Sequence, residues 1–67
     1  MTNQEQAILR ILKEMNLDMN TAIWIMLRLK GNNCGQNLLI EYLKIINPNK
    51  ITRTKILEKV EQIAIKN

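Results

Sequence analysis

Cys34 is the strongest nucleophile in this chain, and it stands in Gly31-Asn32-Asn33-Cys34-Gly35 with no base beside it in sequence. A thiol at a helix N-terminus can ionise more readily than a free one. A catalytic nucleophile also needs a partner base, yet the chain holds no His, and no pair of its six Asp/Glu residues shares a clearly apolar helix face. Free cysteine is among the most buried residue types, so Cys34 is expected to be a small buried side chain. The same glycine-containing turn is the sole candidate for a phosphate cradle, but it lacks the Lys-Ser/Thr ending and the preceding strand of a P-loop. It reads as a helix stop followed by a helix cap. One cysteine without histidine offers neither an internal disulfide nor a thiol-imidazole metal site. The expectation is a protein without catalytic activity, cofactor, metal or small-molecule substrate.

Charge is the second source of chemistry. Ten Lys/Arg against six Asp/Glu give +4, which permits contact with nucleic acid without requiring it. From Cys34 onward there are six basic residues and three Glu. Helices over 34–46 and 53–65 could form a helix-turn-helix, with Thr54 and Lys55 near the end that meets base edges in that motif. Lys55, Lys59, Gln62 and Lys66 fall on one strip, while Lys44, Lys50 and Arg53 could reach phosphates. Against this, Arg53 lies in line with the core stripe, and Glu58 and Glu61 would repel phosphate. The Asn47-Pro48 break also gives a longer turn than the three to four residues usual for the motif. DNA binding in transcriptional regulation, through Lys50, Thr54, Lys55, Lys59 and Gln62, is therefore the alternative reading.

The leading reading comes from Ala22-Ile23-Trp24-Ile25-Met26-Leu27 with Leu29. A surface helix shows one apolar stripe and one polar face. Here Ala22, Ile25, Met26 and Leu29 make the stripe, but Ile23, Trp24 and Leu27 flank Asn20 on the other side. Either the remaining helices wrap this one, or its back face meets a partner. Trp and Arg are enriched in binding hot spots. The candidate interface is Asn20, Ile23, Trp24, Leu27 and Arg28, with Trp24 as anchor, the aliphatics as a seal and Arg28 at the rim. The partner is a second copy of the chain, forming a homodimer, or another protein.

Four helices must position these groups. Thr2 and Glu5 form a capping box ahead of a helix over 3–15, whose Ile8, Ile11, Leu12 and Met15 repeat with helical period. Asn16 is a left-handed stop. A second helix, 20–30, is capped by Asp18 or Asn20 and closed by Gly31. A third, 34–46, is capped by Asn32 or Asn33, carries Gly35, Leu38, Leu39, Tyr42, Leu43 and Ile46 on its stripe, and stops at Pro48. The fourth, 53–65, opens at Thr52 with an Ile51/Ile56 staple and turns Ile56, Leu57, Val60, Ile63 and Ala64 inward. No segment alternates with period two, so strands are not expected.

The fold class expected is all-α, a compact bundle of four short helices with orthogonal or irregular packing, and residues 1–67 forming one domain. At 67 residues such a chain buries only ~60% of the surface its unfolded form exposes, so its stability margin is thin. The longest apolar run, closed by Arg28 and Lys30, falls short of the ~20 residues a membrane span needs. The N-terminus lacks the basic start and apolar run of a signal peptide. Together with the lone cysteine, these features lead to the expectation of a cytoplasmic protein that does not engage membranes.

Overall fold

The computed structural model describes residues 2–46 and 53–66, and places in them α1 (Asn3–Glu14), α2 (Met19–Arg28), α3 (Asn33–Ile45) and α4 (Arg53–Lys66). No strand occurs among the described residues. The chain is all-α, as the periodicity requires.

The caps are local and chemically ordinary. Thr2 Oγ1 accepts from the Glu5 amide at 3.1 Å, and Glu5 Oε1 accepts from the Thr2 amide at 2.9 Å, closing the capping box. Asp18, not Asn20, caps α2: its carboxylate accepts from the Thr21 amide at 3.0 Å and the Thr21 hydroxyl at 2.6 Å. The helix consequently starts at Met19, one residue earlier than expected. It also ends earlier, at Arg28, because Leu29 takes the C-cap and the chain turns through Gly31 at φ 76°. Asn16, at φ 62°, makes the other left-handed turn. Asn32 Oδ1 caps α3 by accepting from the Gly35 amide at 2.8 Å. Thr52, the Ile51 staple and the Pro48 stop lie outside the described residues, as does Lys50.

The helices close a ring. Among the described residues α1 packs on α2 and α3, while α4 packs on α2 and α3; α2 does not pack on α3, nor α1 on α4. Ile8 and Leu12 from α1, Ala22, Ile25 and Leu29 from α2 and its cap, Leu39 and Leu43 from α3, and Ile56, Val60 and Ile63 from α4 fill the centre. In this ring no helix is central. Each leaves its outer side uncovered, and α2, expected either to be wrapped or to present its back face outward, does the latter.

The core face of α3 is rotated from its expected position. Leu38 was expected to face inward but is exposed, whereas Ile40, on the side expected to be polar, packs against the core. Gln36 accompanies this rotation: it is buried and donates from Nε2 to the Leu29 carbonyl at 2.8 Å. Cys34 falls nearly opposite this face and is exposed, correcting the expectation of burial. Gly35 does sit at a close approach, though to side chains rather than to backbone. A Cβ there would stand 2.7 Å from Asn32 Nδ2 and 2.9 Å from Ile63 Cγ2, so any larger residue would displace both the cap and a core side chain.

Candidate interaction surface

On α2, successive residues turn by about 100°, so burial of Thr21, Ala22, Ile25 and Leu29 fixes what faces out. Met19, Ile23 and Leu27 form a row at i, i+4, i+8 along the outer side, with Trp24 and Asn20 beside it. Their exposure is large for apolar residues: Met19 56%, Ile23 48%, Trp24 41% and Leu27 65%. Four large apolar side chains on two turns of one helix make a contiguous patch, which has a different meaning from scattered exposed leucines. Met19 escapes sequence reasoning only because the helix was expected to begin after it; the i, i+4, i+8 spacing to Ile23 and Leu27 is its signal.

Two ion pairs tie α2 to α4 along the edge of this patch. At one end Arg53 Nε donates to Thr21 Oγ1 at 2.7 Å and stands 3.7 Å from Asp18 Oδ1. This is how a cation aligned with the core stripe is accommodated: it reaches across to the start of α2. At the other end Arg28 grips Glu61 with two nitrogens, Nε to Oε1 at 2.6 Å and Nη2 to Oε2 at 3.3 Å. The fork suits the geometry of a planar guanidinium against a carboxylate. The Arg28 bond holds the Glu61 carboxyl below its usual range, and Glu61 in turn raises Arg28. Asp18 is likewise lowered, first by its bonds to Thr21 and to a lesser degree by Arg53. Arg28 thus borders the patch already engaged.

Between α2 and α4 runs a shallow groove of ≈ 470 Å³, lined by Trp24, Thr54, Leu57, Glu58, Glu61 and Gln62. Leu57, Glu58 and Glu61 join the site only through folding, since they lie over thirty residues from Trp24 in sequence.

Of the residues considered for DNA contact, Lys50 lies outside the described residues, and Thr54, Lys59 and Gln62 border two grooves that Gln62 shares. Thr54, Lys55 and Gln62 are exposed, and α3 and α4 pack as neighbours. Lys59 is folded inward, its Nζ 5.3 Å from the centroid of the Tyr42 ring, within the range of a cation–π contact. It lies in a second groove, ≈ 290 Å³, where Leu38, Tyr42, Ile45 and Ile63 supply apolar walls. Gln62 and Lys66 line this groove beside Lys59, and Gln62 with Thr54 also borders the Trp24 groove, where Glu58 and Glu61 are their neighbours.

No cluster of three or more metal-ligating side chains occurs among the described residues. No described helix is long and apolar enough to cross a membrane. The chain matches no family model, and no curated protein or solved structure shows significant similarity to it.

Proposed function

We propose that this chain is a small helical protein–protein interaction module that self-associates through the outer face of α2. One observation carries the reading: Met19, Ile23, Trp24 and Leu27 are all exposed on the outer side of α2, the side turned away from the core that the described helices share. Trp24 is the anchor, Ile23, Leu27 and Met19 are the apolar surround, and Asn20 and the Arg28–Glu61 pair form a polar rim. Such an arrangement, an aromatic centre ringed by contacts that exclude water, is the usual anatomy of a binding hot spot. No catalytic role is assigned.

DNA contact through Thr54, Lys55, Lys59, Gln62 and Lys50 is the weaker proposal. Lys59 rests on Tyr42, Arg53 is engaged by Thr21 and Asp18, and carboxylates border Thr54 and Gln62.

Trp24 is the chain's sole tryptophan and therefore reports on its own interface. As concentration rises, its fluorescence emission should move to shorter wavelength when the ring leaves water, and return on dilution. Emission that stays fixed over a range in which the protein dimerises would place the interface elsewhere.

A further inference from the structure

The groove between α3 and α4 has a chemistry of its own, apart from the outer face of α2. The two helices run antiparallel there: Lys59 reaches the Tyr42 ring, while Ile63, one turn further on, stands against Gly35. Leu38, Tyr42, Ile45 and Ile63 give the groove apolar walls. Along it α4 sets Lys59 and Lys66, which its helical rise holds about 10 Å apart. We infer that this groove binds a small single-chain amphiphile with an anionic head, such as a carboxylate. The tail lies on the apolar walls and the head meets the Lys59 ammonium.

Charge selects the head. Two lysines line the groove against one carboxylate, Glu41, and neither lysine is in an ion pair among the described residues. Lys59 is half-buried, with Nζ 5.3 Å from the Tyr42 ring centroid. A ring face attracts a cation without neutralising it, so the ammonium still has hydrogens to donate to an anionic oxygen. A partly buried charge is also screened less by salt than an exposed one. An anionic head is attracted and a cationic head repelled. The groove at Trp24 has the opposite character, for Glu58 and Glu61 line it and no lysine does.

Size and polarity select the rest of the ligand. At ≈ 290 Å³ the groove stands at the lower end of small-molecule sites, which run from about 300 to 1,000 Å³. Its walls extend over only two helical turns, too little for the roughly 800 Å² per partner that a stable protein interface buries. An inorganic anion would leave Leu38 and Ile45 as exposed as they are now. An alkyl tail covers them, and each methylene it buries adds to affinity.

Titration of the isotope-labelled chain with decanoate below its micellar range, followed by amide chemical shifts, tests the site. The expected result is saturable shifts centred on residues 38–45 and 59–66. Decyltrimethylammonium, with the same tail and a cationic head, should bind about tenfold more weakly or worse. Lys59→Gln should weaken decanoate by about tenfold, because a hydrogen bond to a charged group is lost, and Lys59→Arg should keep most of the affinity. Ile45→Ser alters an exposed side chain, so its fold is kept, and it should weaken decanoate by shortening the apolar wall. Equal binding of the cationic amphiphile, or an unchanged affinity in Lys59→Gln, would overturn the choice of an anionic head. Shifts centred on Ile23, Trp24 and Leu27, or no saturable shift at all, would overturn the site.

Discussion

Leu39→Ala should remove a large part of the stability of this protein, while Leu38→Ala next to it should change almost nothing. Leu39 is fully buried in the centre of the ring, and Leu38 is 43% exposed. Truncating a buried leucine leaves a cavity as well as losing burial, together about 2–5 kcal/mol. A chain of 67 residues has roughly 3–10 kcal/mol in total, at about 0.05–0.15 kcal/mol per residue. The variant is therefore expected to be partly or wholly unfolded at ambient temperature. Away from the core, a surface truncation shifts stability by about 0.5 kcal/mol or less. Urea unfolding followed by circular dichroism checks both, at a single protein concentration because association stabilises the folded state. The contrast also tests the rotation of α3. A larger loss at Leu38 than at Leu39 would mean that α3 presents its Leu38 side to the core after all.

Trp24→Ala should weaken self-association by more than about 2 kcal/mol, which is roughly thirtyfold in the dimer constant. Trp24 is the largest side chain on the outer face of α2 and lines one groove with Leu57 and Glu61. A twofold interface holds the residue twice, so one substitution removes two anchors. Because Trp24 is not part of the buried core, the variant should keep its helical content. A dimer constant unchanged from that of the parent chain would remove Trp24 from the interface. Lys55→Ala serves as the control: Lys55 is exposed on α4 and does not line the Trp24 groove, so its loss should leave association unaltered.

Much of the fold was legible because much of it is local. The Thr2/Glu5 box, the Asp18 and Asn32 caps and the left-handed turns at Asn16 and Gly31 each act within a few residues. They are therefore visible as spacings in the sequence. The core residues of α1 and α2 followed from helical period for the same reason.

The rest depended on contacts across space. Gln36 is buried where its amide donates to the Leu29 carbonyl, a partner outside α3 that nothing in α3 itself announces. Arg28 and Glu61, or Arg53 and Thr21, are more than thirty residues apart, and each pair reads as two unrelated polar residues until α2 and α4 lie side by side. Trp24, Ile23 and Leu27 could be singled out because apolar residues on the wrong face of a helix are conspicuous in one dimension. Whether they were covered depended on how the four helices close, and the ring leaves them open.

The most direct test of self-association is the solution mass of the parent chain by sedimentation equilibrium across a concentration series. The mass should rise reversibly from 7.9 kDa toward twice that value and stop there, as a closed twofold pair requires. A mass fixed at the monomer value over the whole series would contradict self-association through α2.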